Sequence, residues 1–334
     1  MSHDDVNSTQ TPPGSPPGVS VVLPILNEER YLAGAIEGIL AQKYEGPLEV
    51  ILALGPSTDK TNEIATALVI KDPRIVLVHN PTGRTAAALN LAITRSQYSI
   101  ICRIDGHAEI APTYIASAVE VMAQTGAVNV GGVMAASGQG GFEQAVATAM
   151  RSPLGVGAAR FHIGGKAGPA DTVYLGVFSK AALLAVGGYD ERFTRAQDWE
   201  LNFRLREAGG TIWFDPELVV TYRPRPNLRA LAKQYFEYGR WRRAVIRSHK
   251  GTVNFRYLAP PIAVVVSILS IVLGAALNPI FYLPAALYLL GNLVGSLVIG
   301  KNVREKIALP AILATMHFSW GIGFLTSPKD LVEQ

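Results

Sequence analysis

Apolar positions along this chain follow two different rules, and the change falls near residue 257. Before it, short apolar runs alternate with stretches in which apolar residues recur every three or four positions. Val19-Ser20-Val21-Val22-Leu23-Pro24, Leu48 to Leu54, Ile75 to His79 and Ser99 to Ile104 have strand length and are rich in β-branched residues. Between them, Glu28 to Gln42 sets Leu32, Ala35, Ile36, Ile39 and Leu40 at helical spacing. Thr58 to Leu68, with Ser57 or Thr58 as N-cap, and Ala/Leu-rich Thr85 to Thr94 read as two more helices. Strands and helices alternating in this way predict an α/β fold with a mainly parallel sheet covered on both faces. Ligands of such sheets sit at the carboxyl ends of the strands. Pro24 to Glu28, Gly55 to Asp59 and Asp105 to His107 all fall there, so one pocket can gather them.

Further along, Thr113 to Gln124 reads as a helix and the glycines of Gly131 to Gly141 as loop. Ala145 to Pro169 has no clear period. Asp171 to Phe178 has strand character, and Lys180 to Val186 is a short helix stopped by Gly187-Gly188. Asp198 to Ala208 is a helix ending at Gly209-Gly210, and Ile212 to Phe214 and Leu218 to Tyr222 are two short strands.

After the change-over, Leu258 to Leu277 and Ile280 to Ile299 hold no charged residue. Each is about 20 residues long, enough to cross the ~30 Å hydrocarbon core of a bilayer. Ile307 to Thr326 is a third, weaker span because it contains His317, Ser319 and Trp320. The loop from Lys301 to Lys306 is basic. With two spans before it, this loop and the N-terminal part share one side of the membrane, and the positive-inside tendency makes that side cytoplasmic. The expected divisions are a disordered tail over 1–18, a catalytic domain over 19–222, a basic amphipathic interfacial segment over 223–256 and a membrane domain over 257–334. A chain cut near residue 250 is expected to keep a folded catalytic part.

Charge adds to this picture. Charged residues make up 17% of the chain, below the ~25% of ordinary soluble proteins. The net charge is +4. Basic residues cluster from Arg223 to Lys250, directly before the first apolar span, which suits anionic headgroups. Within this cluster, Arg229 to Arg247 interleaves basic residues with Leu231, Tyr235, Phe236, Tyr238 and Trp241. It reads as a packing helix or as one lying at headgroup level. A nucleic-acid partner would need a reader motif, and the sequence has none. The single cysteine, Cys102, sits in an apolar run and reads as a buried strand residue. Met1 to Gly18 has no apolar core and no signal-peptide pattern.

Two carboxylates stand out chemically. Asp105, at a strand end before Gly106 and His107, suits a divalent cation that neutralises a diphosphate, or alternatively a simple turn. His107 is a candidate second ligand, better matched to Mn²⁺ than to Mg²⁺. Asp198 opens a predicted helix, where it can serve as N-cap or as general base toward a hydroxyl. Glu200 is a weaker candidate base.

From Val19 to about Lys250 the chain resembles the family 2 inverting glycosyltransferases with a GT-A fold. The resemblance is carried by Val21-Val22-Leu23-Pro24-Ile25-Leu26-Asn27-Glu28, by Asn80-Pro81-Thr82-Gly83-Arg84 with Ala88-Leu89-Asn90, by Arg103-Ile104-Asp105-Gly106-His107-Ala108-Glu109, and by Gln197-Asp198-Trp199-Glu200-Leu201-Asn202. It is similar in finer detail to membrane-anchored succinoglycan-type bacterial transferases, through Asp105-Gly106-His107-Ala108-Glu109, Ser152-Pro153-Leu154-Gly155-Val156-Gly157 and Gln234-Tyr235-Phe236-Glu237-Tyr238-Gly239.

The resemblance implies a nucleotide-sugar donor bound by Pro24, Asn27, Glu28, Ser57, Asp59, Gly83, Arg84 and Asp105. It implies Mn²⁺ or Mg²⁺ at Asp105 and His107, Asp198 as base, and Gln197, Trp199 and Glu200 on the acceptor side. The implied partners are a lipid-linked saccharide acceptor and membrane lipids. Two positions depart from the pattern. Leu54-Gly55 stands where an acidic residue usually meets uracil, and His107 where a second metal-binding acid usually stands. Processive synthases carry Gln-x-x-Arg-Trp. Gln234 and Arg240-Trp241 have a different spacing, in favour of single additions. Two other functions fit the same residues. One is transfer to a polyprenyl phosphate, which needs no base. The other is a non-catalytic sugar-nucleotide-binding scaffold.

Overall fold

The computed structural model describes residues 15–332. Most of the expected N-terminal tail lies outside the described residues. Its last residues are held, because the Tyr44 hydroxyl donates to the Pro17 carbonyl.

The elements run in the order β1 (Val19–Ile25), α1 (Leu32–Leu40), β2 (Leu48–Leu54), α2 (Thr61–Lys71), β3 (Ile75–His79), α3 (Thr85–Arg95), β4 (Ile100–Arg103), β5 (Glu109–Ile110), α4 (Tyr114–Thr125) and β6 (Asn129–Ala136). Then come α5 (Gly141–Met150), α6 (Pro153–Val156), α7 (Arg160–Ile163), β7 (Gly168–Pro169), β8 (Tyr174–Ser179), α8 (Lys180–Ala185), α9 (Gln197–Glu207) and β9 (Ile212–Tyr222). The chain ends in α10 (Leu228–Ser248), α11 (Phe255–Ala276), a short 3₁₀ turn, α12 (Leu283–Ile299) and α13 (Val303–Leu325). These elements form two compact units. The first comprises the chain through Val130 with 175–189 and 208–211, and the second comprises 131–174, 190–207 and 212 onward.

In the first unit the strands lie in the order β3-β2-β1-β4-β8. The first four are parallel, with Val19 opposite both Leu48 and Ile100, and β8 runs antiparallel to β4. β1 is central, which explains its almost unbroken apolar character. Val19, Val21, Val22 and Leu23 are fully buried. α3 packs on β1 and β2 through Ala86, Ala87, Ala88 and Ala92, whose small side chains let the helix approach closely. At the amino ends of the strands, buried Glu49 accepts from the Ser20 hydroxyl (2.5 Å), the Gln97 amide (2.7 Å) and the Gln97 side chain (2.9 Å). A buried carboxylate is tolerable when hydrogen-bonded in this way. Cys102 is fully buried, which pushes its thiol pKa up to about 12.

The sequence misplaces three features. The second helix begins at Thr61, not Thr58, and neither Ser57 nor Thr58 caps it. Gly131 and Gly132 lie in β6, not in a loop. A Cβ on Gly131 would stand 2.8 Å from Val173, and one on Gly132 would strike the Leu218 carbonyl. These glycines therefore serve close approach within a strand. β9 is one strand, with Pro216 in its middle, where two were expected.

The second unit carries the apolar helices. Phe255–Ala276, Pro279–Ile299 and Val303–Leu325 are each long and apolar enough to cross a membrane. They differ in what covers them. α11 and α12 leave Ile268, Leu269, Ile271, Val272, Leu289, Leu290 and Leu297 more than half exposed. α13 instead buries Leu309, Ile312, Leu313 and Met316 in one cluster with Met134, Ala145, Val146 and Met150 of β6 and α5, and Leu231 and Tyr235 of α10. Gly239 of α10 lies against the Trp320 backbone, and Gly323 of α13 against the Phe236 backbone. The expected boundary at residue 257 therefore cuts through a shared core, and α10 has one face committed to α13.

Candidate active site

The first unit brings three of the anticipated segments together at the carboxyl ends of β1, β2 and β4. Asn27 has a left-handed backbone (φ 56°), a conformation asparagine tolerates better than most residues. The turn it makes faces residues 57–61 and is tied to them repeatedly. The Asn27 amide donates to the Ser57 hydroxyl (3.0 Å), and the Thr58 amide donates to Asn27 Oδ1 (2.8 Å). The Glu28 amide donates to the Thr61 hydroxyl (2.7 Å), and the Lys60 amide to Glu29 (3.0 Å). Asp59 receives the Thr61 hydroxyl (2.5 Å) and amide (3.0 Å) and the Glu29 amide (3.3 Å). The Thr61 hydroxyl bond, with the backbone amides behind it, holds the Asp59 carboxyl below its ordinary range. Ser57 and Asp59 thus act on the turn itself. Pro24 is the penultimate residue of β1, opposite Ala53.

Gly83 and Arg84 belong to the same edge. Gly83 has φ 64°, and a Cβ there would stand 3.2 Å from Pro56. Thr82 bridges Asn80 and the Arg84 amide (2.8 and 3.1 Å), which fixes the entry to α3. The Arg84 side chain is exposed at that helix start. Gly55 has Leu26 Cδ1 and the Gly83 backbone within 3.0 to 3.3 Å of where its Cβ would be. A side chain at this position, where the family usually has an acidic residue nearby, would need these neighbours to give by a few tenths of an ångström.

Asp105 follows β4, with its side chain 21% exposed and one oxygen 3.3 Å from Arg103. The guanidinium of Arg103 is buried beneath it, over the Tyr189 ring at 5.7 Å. His107 Nδ1 meets Glu28 Oε1 at 2.7 Å, and Gly106 leaves space for the Glu28 stem. His107 therefore engages a carboxylate on β1's turn, a link that spacing along the chain did not reveal. No group of three His, Cys, Asp or Glu side chains lies within metal-binding reach among the described residues. The residues present still fit a hard divalent cation. Such an ion keeps water and phosphate oxygens and needs only one or two protein carboxylates, which Asp105, beside the Glu28–His107 pair, can supply.

Asp198 lies in the second unit, in the first turn of α9 rather than at its cap, where a negative charge meets the positive end of the helix dipole. Ala196, two residues earlier, has φ 61°, an uncommon conformation for a residue with a Cβ. The strain marks a backbone fixed by its surroundings. Gln197 turns back to the Thr194 carbonyl (3.0 Å). Trp199 packs with Phe193, Trp241 and Val245. Glu200 is 1% exposed, and its carboxylate is held by Arg204 on both oxygens (2.7 Å each) and by His249 (3.0 Å). Its role is to anchor α9 to the end of α10. Both its oxygens are engaged by these two partners. His249 was absent from the sequence-derived site, since only folding brings it to Glu200.

The mostly parallel sheet, with its polar turns at the carboxyl edge of β1, β2 and β4, has the GT-A class of glycosyltransferase fold, which its solved neighbours share. Residues 20–185 match the family described as Glycosyl transferase family 2. The chain is 34% identical to the succinoglycan biosynthesis protein ExoA of Rhizobium meliloti (strain 1021) over 97% of its own length and 96% of that protein. The chain belongs to glycosyl transferase family 2. It is also 25% identical, over 92% of its length and 95% of the relative, to a dolichyl N-acetyl-alpha-D-glucosaminyl phosphate 3-beta-D-2,3-diacetamido-2,3-dideoxy-beta-D-glucuronosyltransferase of Methanococcus voltae. Among solved structures, the mannosyltransferase PcManGT from Pyrobaculum calidifontis, in complex with GDP-Man and Mn²⁺, superposes with a TM-score of 0.62 at 20% identity, covering 91% of this chain and 87% of that one. S. aureus TarS 1-349 in complex with UDP-GlcNAc gives 0.51 at 15% identity, covering 73% and 70%.

Proposed function

We propose that this glycosyltransferase works at the cytoplasmic face of a membrane and moves a sugar, with inversion, from a nucleotide-sugar to a saccharide carried on a lipid. The observation that carries this is the hydrogen-bonded junction of the 27–29 turn with residues 57–61 and of Glu28 with His107, which gathers donor-side groups at one sheet edge. In this mechanism the donor lies across Pro24, Asn27, Glu28, Gly83 and Arg84, with Ser57 and Asp59 holding the turn that meets it. Asp105, with the Glu28–His107 pair, would hold a divalent cation, and Mn²⁺ or Mg²⁺ there would offset the charge of the leaving diphosphate. Asp198 accepts the proton of the acceptor hydroxyl as its oxygen bonds to the anomeric carbon and the bond from that carbon to the diphosphate oxygen breaks. One displacement inverts the centre.

The relatives support a saccharide acceptor on a lipid, and the apolar α11 and α12 support a site beside a bilayer. The test is transfer by detergent-solubilised full-length protein from radiolabelled nucleotide-sugars to lipid-linked saccharides, with and without chelator. Transfer that stops in chelator and returns with Mn²⁺ or Mg²⁺ is expected. Undiminished transfer in excess chelator would remove the cation, and no transfer to any lipid-linked saccharide would remove the acceptor class.

A further inference from the structure

Two of the arginines of α10 have oxygen partners. Arg240 pairs with Glu237 (3.0 Å), and Arg247 donates to the carbonyls of Pro328 (2.5 Å) and Ser327 (2.9 Å). Arg242 is different. Its NH1 is buried with no hydrogen-bond partner. Its neighbours are two rings, Trp199 at 4.6 Å and Tyr257 at 4.3 Å. A second guanidinium, Arg256 at the start of α11, lies over the same Tyr257 ring at 4.8 Å and donates to its hydroxyl (2.6 Å). Among the described residues, neither guanidinium has an ion pair with a carboxylate. Burial, with Arg256 adding its repulsion and the Tyr257 ring opposing both, lowers the Arg242 pKa to about 10, so it remains a cation at neutral pH.

The unsatisfied groups form a set. Arg242 NH1, Arg256 Nε and Trp199 Nε1 are all buried donors without acceptors, and Trp199 is 7% exposed. His162 Nδ1 on α7 is also buried and unpartnered. Burial and the nearby Arg256 charge take its pKa down to about 3, so this ring is neutral. Stacking on rings is favourable but gives a buried guanidinium no hydrogen bonds, and unpaired buried donors are costly. A cluster of arginine donors lacking acceptors has the chemistry of a phosphate site, because guanidinium forks match phosphate oxygens.

Its place in the chain narrows the ligand. Trp199 directly follows Asp198. Tyr257 and Arg256 open α11, whose exposed apolar side chains begin within two turns at Ile262. Val253 and Phe255, exposed at 55% and 77%, flank the cluster with apolar surface. A ligand with an anionic head and an apolar tail suits this arrangement better than a free anion.

We propose that Arg242 and Arg256, with Trp199 Nε1 and His162, bind the phosphate or diphosphate that joins the acceptor's sugar to its lipid. This assignment rests on the lipid-linked acceptor reading above. It makes Trp199 the link between acceptor anchoring and Asp198. Arg242 and Arg256 hold the acceptor and take no part in bond changes.

The test is binding of farnesyl diphosphate to the full-length protein in neutral detergent, which needs no turnover. Wild-type protein should bind farnesyl diphosphate at least tenfold more tightly than farnesol. Arg242→Gln and Arg256→Gln should each weaken it tenfold or more, with Arg242→Lys in between, while nucleotide-sugar binding in the first unit reports that each variant is folded. Inorganic pyrophosphate should compete weakly. Equal binding of farnesol and farnesyl diphosphate by the wild type would overturn the site without any variant. So would unchanged affinity in the folded glutamine variants. Full displacement by phosphatidylglycerol in nanodiscs, with none by phosphatidylcholine, would reassign the cluster to bulk anionic lipid. Should farnesyl diphosphate bind as expected while no lipid-linked saccharide accepts sugar, the phosphate site would stand and the acceptor reading would fall.

Discussion

At the scale of residues, the two acids singled out by sequence have different kinds of support around them. Asp105 sits partly exposed over a buried arginine. Asp105→Asn keeps the shape and removes the charge, so cation-dependent donor binding should weaken and turnover fall steeply, as read by donor titrations with and without Mn²⁺. His107→Ala should cost less, because phosphate and water oxygens can fill the cation's remaining positions. Unchanged kinetics in Asp105→Asn would remove it from the donor site. Asp59 gives a pH test. Its folded pKa lies below the ordinary 3.8 because the Thr61 hydroxyl and nearby amides favour the carboxylate. The stabilisation is therefore present above 3.8 and is lost as pH falls through the lower folded value. In acid unfolding, the stability difference between wild type and Asp59→Asn should shrink below that pH. A constant difference would show that the carboxylate charge plays no part in holding the turn.

At the scale of elements, the most informative contact is that of α10 with α13, where two glycines bring backbones together. Gly323→Val would push a branched side chain into the Phe236 carbonyl, and Gly239→Val would do the same at Trp320. Overpacking of this kind costs on the order of 1–3 kcal/mol. Each variant should lower the unfolding temperature in detergent, and an unchanged temperature would mean that the helices separate without loss.

These glycines also mark where the sequence could be read and where it could not. The strands of the first unit and α3 were legible because a buried parallel sheet demands continuous β-branched runs and its covering helix small residues. The turn at Asn27 was legible as a site but its linkage to Thr61 was not, since those bonds join residues more than thirty positions apart. The partners of Glu200 were only half legible, since folding brings His249 to it from 49 positions away. Gly131 and Gly132 looked like loop because composition cannot tell a flexible glycine from one required by a close neighbour. Asp198's surroundings, the strained Ala196 and the ring cluster behind Trp199, arise wholly from packing.

At the scale of the whole molecule, the third apolar helix belongs partly to the catalytic half. Leu309, Ile312, Leu313 and Met316 are buried against α5 and α10. Losing one such side chain costs ~2–5 kcal/mol, so losing four removes ~8 kcal/mol at the low end, against a typical total stability of ~5–15 kcal/mol. A chain ending at residue 250 should therefore fail to give a cooperative unfolding transition by circular dichroism, contrary to the expectation from sequence alone. A soluble, cooperatively folded truncation would show that α13 is dispensable. Release of the full-length protein from membranes by alkaline carbonate, without detergent, would exclude insertion of α11 and α12.

The most direct measurement of the central claim is sugar transfer by Asp198→Asn to two acceptors, a lipid-linked saccharide and a polyprenyl phosphate. Asparagine preserves the helix start and the size of the side chain but cannot take the proton. The mechanism predicts normal donor binding and a loss on the order of 10²–10⁴-fold in transfer to the saccharide hydroxyl. Transfer to the hydroxyl at close to the wild-type rate would contradict it, and efficient transfer to the polyprenyl phosphate by both proteins would identify the ionised lipid phosphate as the acceptor instead.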